Sequence, residues 1–599
     1  MSEHPEIKTY RTGRSRELLI SWLPWLTFFT GSFAYFAFFS DYIFFYREKS
    51  SLFFLSRDFF MESLSQPGGL LNWLSGFLTS FYYYPMAGAL ILSAVMTLII
   101  CSVSRSAFQI SGRNEKIFPF IIGLIIFYLH TNYRFTPENS LGLLLQSALF
   151  MFAVKNIRYL KGWMPVIIIP FWYYATGGFS WIFVLMLTLY YALCNIKKEW
   201  VKIFASWMIM LATVYVSMEF LFFEMNDTLF FYPLTLPDDQ SSRFMFKIAL
   251  GLTALLPVIT RIRFPVADFL SLKYSAERII RSALVLSVLV LIAVYGFDSK
   301  NIQYFKIEKL FYEGKYEEII EYNLKNPSTN SLTLFYNNIA LCEKGLLNDR
   351  LFSFIQSADG RTLFLKWEMV TEILKRGGYF YYSIGMINEA HRWAFENMVI
   401  DGHTPEGLKL LIRTELINGN YQMASKYISL LGKTFFYKKE ARAFEKFLFN
   451  HTSVESDPEL GPKRKYKIKS DFFAITDNPI INVERILAND TLCRKAFEYR
   501  IAFSLIKKDY KLITAMLPEF EKLGYNAFPV HVEEAVLAIS LADNGKLQQM
   551  GNLKISKASD TRWTQFLILF QQYGSDPRAA EPALRRQFGN TFWYWMFYK

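Results

Sequence analysis

Long apolar runs separated by short polar segments dominate the first 297 residues of the chain. Windows of about 19 residues, the helix length that crosses a bilayer core, select nine candidate spans in this region. They lie near residues 19–41, 86–104, 117–133, 139–155, 164–177, 179–195, 203–223, 246–260 and 282–297. The pattern therefore predicts a bundle of about nine transmembrane helices.

Composition separates this region from the rest of the chain. Of the 599 residues, 52% are hydrophobic and 18% are aromatic, and the long apolar runs end before residue 298. A membrane bundle with a soluble second half fits this distribution. We expect an all-α protein with an N-terminal segment at 1–18, a bundle at 19–297 with a long outer loop at 42–85, and a helical domain at 298–599.

Basic residues predict the orientation of the bundle. With the N-terminus in the cytoplasm, the predicted inner loops contain eighteen Lys and Arg and the outer loops contain six. This bias follows the positive-inside rule, and nine spans would then place residues 298–599 outside the cytoplasm. The apolar run from Leu18 to Ser40 is too long for a cleavable signal peptide and lacks a small-residue cleavage site, so we expect an uncleaved anchor. The predicted location is the bacterial inner (cytoplasmic) membrane.

The net charge of +13 is mostly accounted for by these inner loops. It does not indicate nucleic-acid binding, and the sequence contains no nucleic-acid motif. The predicted partners are membrane lipids and proteins.

Ionisable residues of the bundle collect at the predicted outer ends of the spans. Charges in hydrocarbon are costly, so such residues often belong to a pathway or a site. The alternative is that span ends simply carry polar residues. The set comprises Asp41, Glu48, Asp58, His130, Arg134, Glu138, Glu219 and Glu224.

The first outer loop has the pattern of helices lying in the membrane interface. Apolar residues at 52, 53, 55, 59, 60 and 64 recur at helical spacing, with Arg57, Asp58 and Glu62 on the other side. This amphipathic pattern predicts an interfacial helix, which either braces the bundle or borders a site. Pro67-Gly68-Gly69 ends it, and a second interfacial or re-entrant piece follows.

These features together resemble the GT-C superfamily of integral-membrane glycosyltransferases. The shared features are a first span that starts inside, an acidic residue at its outer end, in-plane helices in a long first outer loop, and a soluble outer C-terminal domain. The string Glu48…Leu52-Phe53…Pro67-Gly68-Gly69 also looks like a group of uncharacterised bacterial polytopic proteins with helical-repeat tails. Asp41 and Glu48 stand apart, where that superfamily commonly has a paired acidic dipeptide.

The resemblance implies a lipid-linked sugar donor, because nucleotide sugars are not available outside the cytoplasm. Asp41 or Glu48 would then be the general base for an acceptor hydroxyl. Arg57 and Arg134 would hold the donor phosphate through bidentate contacts. The remaining predicted substrate-binding residues are Asp58, His130, Tyr133 and Glu138.

A divalent cation is a further possibility for the outer face. Asp238-Asp239 follows Pro237 in a predicted outer loop. Paired carboxylates of this kind can assist a hard cation, and a solvated turn is the alternative. The identity of a cofactor stays open at this point.

Helical periodicity continues after residue 298, now with alternating charged and apolar residues. Turn glycines at 314, 345, 385 and 419 are spaced by 31, 40 and 34 residues. This spacing is typical of degenerate TPR-like helix pairs, which stack into a solenoid. Such a solenoid would bind a protein partner in a groove, around Tyr421 and Tyr427, or cover the membrane site. Lys463 to Lys467 is expected to be a solvated loop.

The sequence leaves two classes of function open. One is a transferase at the outer face of the membrane, and the other is a non-enzymatic scaffold that recruits envelope proteins. The four cysteines have no close spacing, and we find no CxxC, HExxH, P-loop or GxSxG arrangement. Transport is a weaker alternative because no half-to-half repeat is evident.

Overall fold

The computed structural model describes residues 6–113, 117–156, 162–262, 274–368, 370–465, 467, 478–490, 492–541 and 553–599. Five of the eighteen basic residues counted in the predicted inner loops lie outside these ranges: Lys116, Arg158, Lys161, Arg263 and Lys273. The first five residues of the predicted N-terminal segment also lie outside them. Side chains of the N-terminal helix are described from Trp22 onward. Within the described ranges the chain forms helices and no strand, which confirms the predicted all-α class.

The chain divides into two compact units. The first comprises Met1–Glu48, Leu52–Asp298 and Lys433–Phe436. The second comprises Lys49–Ser51, Ser299–Gly432 and Tyr437–Lys599. Each unit therefore contains a short segment from the other half of the sequence.

The helices of the first half range from four to 37 residues. They are α1 (Glu6–Phe38), α2 (Tyr42–Ser50), α3 (Arg57–Ser63), α4 (Gly69–Ser80), α5 (Pro85–Ser111), α6 (Phe118–Thr131), α7 (Pro137–Asn156), α8 (Met164–Ile167), α9 (Ile169–Thr176), α10 (Ser180–Val216), α11 (Asn226–Phe231), α12 (Gln240–Ala254), α13 (Leu256–Ile259) and α14 (Tyr274–Tyr295).

The core of the first unit is formed by long apolar helices. Helix α1 packs against α5 and α14, and α5 packs against α7 and α6. Phe28, Phe36 and Phe127 are fully buried among them. Because the buried face is largely aromatic, edge-to-face ring pairs such as Phe36–Phe127, with centroids 5.5 Å apart, add to the packing.

Fewer helices can cross a membrane than the sequence predicted. In the described part of the chain, three stretches are long and apolar enough: Pro85–Ser111, Ile169–Leu221 and Ala276–Tyr295. A fourth is obtained if Trp22–Phe38 and Tyr42–Ser50, which meet at a bend of 73°, form one broken span. The prediction of nine spans was wrong by this criterion.

The reason is that a hydropathy window measures composition and not helix length. The window at 117–133 falls on α6, which has only 14 residues. Those at 164–177 and 246–260 each fall on two shorter helices, α8 with α9 and α12 with α13. The stretch Ile169–Leu221 covers two predicted spans and has an extended residue, Asn195, inside α10.

The predicted interfacial helix of the first outer loop is shorter than expected. Residues 51–55 are not helical, and α3 begins at Arg57 after its cap, Ser56, whose hydroxyl accepts a hydrogen bond from the Phe59 amide at 3.2 Å. Phe53 instead packs into an aromatic cluster with Trp73 and Phe77. Burial of its ring against these neighbours outweighs the helical periodicity.

The helices of the second half are mostly 10–16 residues long. They are α15 (Ser299–Tyr312), α16 (Tyr316–Lys325), α17 (Ser331–Glu343), α18 (Leu347–Arg350), α19 (Thr371–Ile384), α20 (Ile387–Asp401), α21 (Pro405–Asn418), α22 (Tyr421–Gly432), α23 (Lys438–Glu445), α24 (His451–Ser456), α25 (Leu460–Lys465), α26 (Pro479–Asn489), α27 (Arg494–Lys507), α28 (Tyr510–Lys522), α29 (Val530–Ser540), α30 (Lys557–Gln572), α31 (Pro577–Phe588) and α32 (Phe592–Tyr598).

The four turn glycines of the second half all have positive φ angles, between 68° and 87°. After Gly314, the Lys315 amide donates back to the Leu310 carbonyl, and after Gly419 the Asn420 amide donates to the Glu415 carbonyl. This is the hydrogen-bond pattern of a Schellman helix end, for which glycine has no steric penalty. The glycines therefore end helices.

A linear TPR-like solenoid is nevertheless not shown. Helices α19 to α23 each pack on the next, as stacked pairs would, but α17 and α18 pack against α27, and α18 also packs against α29. The Asn348 amide side chain donates to the Glu498 carbonyl at 3.1 Å, 150 residues away. In a linear solenoid each repeat contacts only its neighbours, so these contacts between helices distant in the sequence do not fit a simple linear array.

Two further predictions for this unit are corrected. Tyr421 and Tyr427 are buried, so they belong to the core and do not line an open groove. Residues 460–465 form α25 and not a loop, and the Lys463 ammonium donates to the Tyr382 carbonyl at 2.9 Å. Burial lowers the pKa of Lys463 to about 8, with Lys495 adding to the effect.

Candidate functional site

Three loops of the first unit interlock through glycines. The Gly68 amide donates to the Tyr174 carbonyl at 3.0 Å, and the Gly178 amide donates to the Tyr232 carbonyl at 2.8 Å. Gly68 and Gly177 have φ angles of +72° and +56°, and a Cβ on Gly177 would overlap the Tyr232 carbonyl oxygen. Only glycine permits so close a backbone approach, so these residues fix the first outer loop to two later ones.

A cluster of polar side chains is assembled from four separate segments of this unit. Its members are Arg47 of α2, Tyr82 of the 3-10 turn Phe81–Tyr83, His130 at the end of α6 and Glu138 at the start of α7. We call these four residues the polar cluster. Tyr82 is 3% exposed and His130 is 2% exposed, whereas Glu138 is partly exposed.

Electrostatic interactions connect the members of the polar cluster. Burial raises the pKa of the Tyr82 hydroxyl, the Glu138 carboxylate adds to the rise and the Arg47 guanidinium opposes it. Arg47 also interacts electrostatically with His130. The His130 Nε2 atom lies 2.7 Å from the Ser140 hydroxyl, which fixes the orientation of the ring.

A second carboxylate borders the same region. Burial raises the pKa of Tyr232 to about 12, and Glu138 and Glu224 both add to this rise. The Gln66 side-chain amide donates to Glu224 at 3.2 Å. Glu138 therefore interacts electrostatically with two tyrosines, Tyr82 and Tyr232, which come from different segments of the chain.

The structure brings together only part of the predicted site. His130 and Glu138 belong to the polar cluster, and Glu48 is buried one residue after Arg47. The Tyr133 ring lies edge-on to Tyr46, with centroids 4.7 Å apart.

The other predicted residues lie on the surface. Asp41 is exposed at the break between α1 and α2, where its backbone carbonyl accepts from the Phe44 and Phe45 amides. Arg57 and Asp58 are exposed on α3. Arg134 is exposed and its Nε donates to the Tyr133 hydroxyl at 3.2 Å.

Sequence reasoning missed Arg47 and Tyr82 as site residues. Arg47 directly precedes the selected Glu48, and Tyr82 lies in the second piece of the first outer loop, which was predicted to be interfacial or re-entrant. A usable signal was present, because Arg47 and Glu48 are adjacent charges within an apolar segment. Helix α2, which positions Arg47, falls in the predicted outer loop at 42–85, where the helical pattern was recognised only from residue 52 onward.

Asp239 of the Asp238–Asp239 pair caps a helix. An Asp239 carboxylate oxygen caps α12 by accepting from the Ser242 amide at 2.7 Å, and the other accepts from the Asn132 side chain at 2.9 Å. Among the described residues, no group of three or more His, Cys, Asp or Glu side chains could hold a metal ion. The pair fits a helix cap better than a cation site.

The fold and the polar cluster define an all-helical protein with several candidate membrane spans and a separate helical unit. The chain belongs to DUF6057, a family of unknown function, whose model matches residues 17–599. No curated protein and no solved structure matches the chain.

Proposed function

We propose that this chain is an integral membrane protein whose first unit transfers a sugar or related group from a lipid-linked donor to an envelope acceptor. The observation that carries the proposal is the polar cluster. Four helical segments place a cation, a carboxylate, an imidazole and a phenol within electrostatic reach of each other in an otherwise apolar unit. Ionisable groups are rarely kept in such surroundings without a role.

The geometry narrows the choice of general base. Asp41 is exposed, whereas Glu48 is buried and Glu138 interacts electrostatically with two tyrosines. A carboxylate held away from bulk water beside other polar groups is well placed to abstract a proton from a hydroxyl. We therefore assign the base to Glu48 or Glu138 in preference to Asp41. Arg57, Asp58 and Arg134, at the surface, would meet the donor on entry.

Isosteric amides test the proposal. Glu48→Gln or Glu138→Gln should abolish complementation of an envelope phenotype in a deletion strain while leaving protein abundance normal. Loss of a general base typically lowers the rate ~10²–10⁴-fold. Asp41→Asn is the matched control and should complement. If both glutamine variants complement fully, the transferase proposal is rejected.

The proposed location is the bacterial inner membrane, with residues 298–599 on the extracytoplasmic side. The basic bias of the predicted inner loops supports this orientation. Reporter fusions at Lys300 and Lys599 should then be extracytoplasmic, and a fusion at Lys198 cytoplasmic. A cytoplasmic Lys599 fusion would contradict the proposed location.

A scaffold that recruits envelope proteins is the second candidate function. It is favoured by helix α20 of the second unit, which exposes Phe395, Val399 and Ile400, with Val399 63% exposed. Exposed apolar residues at i and i+4 are typical of partner-binding surfaces. Under this function, Val399→Asp would abolish complementation and the three amide variants would be silent. The opposite pattern supports the transferase.

A further inference from the structure

The guanidinium of Arg47 is buried in an unusual way. Its Nε and Nη2 atoms are shielded from solvent and have no hydrogen-bond partner among the described residues. A buried polar group without a partner costs free energy, and a buried charge costs more. The chain therefore holds two charged N–H donors in a position that its own described groups do not use.

The surroundings of Arg47 are aromatic. Its Cζ lies 5.7 Å from the Tyr46 ring centroid, and the preceding turn of α2 buries Ile43 and Phe44. Phe44 lies edge-on to Tyr82, with centroids 4.9 Å apart. An aromatic wall of this kind accommodates apolar groups and strengthens electrostatic interactions by excluding water.

Adjacent N–H donors of a guanidinium match the geometry of a phosphate or carboxylate, which they bind in a bidentate manner. Arg47 lies in the second helix of the pair Trp22–Phe38 and Tyr42–Ser50. The two helices meet at a bend of 73° and are together apolar enough to form one broken span. A charged residue in such an apolar segment is costly unless it serves a site or a pathway.

We propose that Arg47 anchors a binding site for the phosphate of an amphiphile with an apolar tail. The two donors hold the phosphate oxygens, Tyr82 and His130 border it, and the aromatic wall contacts the first part of the tail. The inference rests on the proposed function in that this phosphate would be the one carried by the lipid-linked donor. Glu138, the nearby carboxylate, opposes the binding of an anion.

The test measures binding to the full-length protein in detergent. The probe is farnesyl phosphate, a short isoprenoid phosphate, and the arms are farnesol, which lacks the charge, and inorganic phosphate, which lacks the tail. Binding is followed by tryptophan fluorescence and by the ligand-induced shift of the unfolding midpoint. Farnesyl phosphate should bind, and both farnesol and inorganic phosphate should bind much more weakly.

Variants then assign the site. Arg47→Met should weaken farnesyl phosphate binding by about tenfold or more, because it removes both charge-assisted donors. Arg47→Lys, which keeps the charge but not the fork, should lie between Arg47→Met and the unaltered protein. Arg105→Met is the matched control, since it removes an exposed arginine of the same unit that belongs neither to the predicted site nor to the polar cluster, and it should bind normally. Glu138→Gln should bind as tightly as the unaltered protein or tighter.

Each contrary result has a distinct meaning. Normal binding by both Arg47 variants overturns the site. If farnesol binds as tightly as farnesyl phosphate, the claim that the site recognises the phosphate is rejected. If inorganic phosphate binds as tightly as farnesyl phosphate, the claim that the site needs an apolar tail is rejected. If Arg47→Met loses farnesyl phosphate while Glu48→Gln and Glu138→Gln complement fully, the phosphate site stands and the transferase function fails.

Discussion

The two units bury arginine in opposite ways. In the second unit, Arg376 is 2% exposed, its Nη2 lies 2.7 Å from the Glu308 carboxylate, and its Nη1 lies 2.5 Å from Glu372. The Tyr336 hydroxyl also donates to Glu308 at 3.0 Å. In the first unit, two buried nitrogens of Arg47 have no such partner among the described residues. We infer that the first arrangement holds a fold together and the second is reserved for a ligand.

Paired burial recurs in the second unit. The Glu406 carboxylate lies 2.9 Å from the Lys49 ammonium and 3.1 Å from that of Lys409, which also lies 2.7 Å from Glu440. Glu406 and Lys409 therefore each have counter-charges supplied by another helix or by the neighbouring turn. Removing one partner of such a pair leaves the other as an uncompensated buried charge. We therefore expect the largest loss of stability from substitutions of this kind.

Arg376→Met should destabilise the protein by ~3–5 kcal/mol, because it leaves the Glu308 carboxylate buried without its cation. The measurement is chemical unfolding of the full chain in detergent, followed by circular dichroism. Arg361→Met is the control, since Arg361 is exposed and its ion pair with Asp359 is on the surface; it should have almost no effect. Equal stability of Arg376→Met and the unaltered protein would remove the contrast between the units.

Acid should weaken the second unit through Glu406. Burial alone would raise the pKa of this carboxyl. The positive charges of Lys49 and Lys409 outweigh burial and lower the pKa to about 2, from the value of 4.5 expected in the unfolded chain. A depressed carboxyl pKa contributes stability that is present above the unfolded value and is lost as pH falls toward the folded value. The contribution is ~2–3 kcal/mol, lost between about pH 5 and pH 2.

The measurement is the unfolding free energy as a function of pH. In Glu406→Gln the curve should be flatter over that window and the stability at pH 7 should be lower. If Glu406→Gln loses stability in acid as steeply as the unaltered protein, the Lys49–Glu406–Lys409 interaction does not contribute.

The sequence predicted that both halves are helical better than it predicted how their helices pack. Apolar composition and turn glycines such as Gly314 and Gly419 follow from local chemistry, so helices and their ends were identified. The contact of α18 with α27 and α29 depends on residues some 150 positions apart, and no periodicity encodes it. The span count failed because breaks such as those between α8 and α9 leave hydropathy unchanged.

The stability of the first unit depends on close backbone packing, whereas that of the second unit depends on buried ion pairs. Gly177→Ala should destabilise the first unit by ~1–3 kcal/mol, because the added methyl overlaps the Tyr232 carbonyl at a residue whose φ is +56°. Gly251→Ala is the matched control: Gly251 lies within α12 with open space around it, so alanine should be neutral or stabilise the helix by up to ~1 kcal/mol. The measurement is the unfolding midpoint of each variant. If Gly177→Ala is as stable as the unaltered protein, the interlocking of the three loops through their glycines does not contribute to stability.

The candidate site was predictable only in part. His130 and Glu138 were identified because they are ionisable residues at apolar helix ends. Asp41 was selected for the same reason but is exposed, because the chain breaks at that point and α2 turns away from the axis of α1 by 73°. Arg47 was missed because the burial of its Nε and Nη2 atoms, which have no hydrogen-bond partner among the described residues, is a property of the fold and not of the sequence.

The contrast between paired and unpaired burial is tested most directly by the unfolding midpoint of Arg47→Met in the absence of added ligand. A buried guanidinium with two nitrogens that have no hydrogen-bond partner among the described residues destabilises the fold. Replacing it with methionine should therefore leave the midpoint unchanged or raise it, by a change within ~1 kcal/mol. Arg376→Met, measured in parallel, should lower the midpoint sharply. If Arg47→Met lowers the midpoint as much as Arg376→Met does, Arg47 is a structural arginine and the account of the first unit is contradicted.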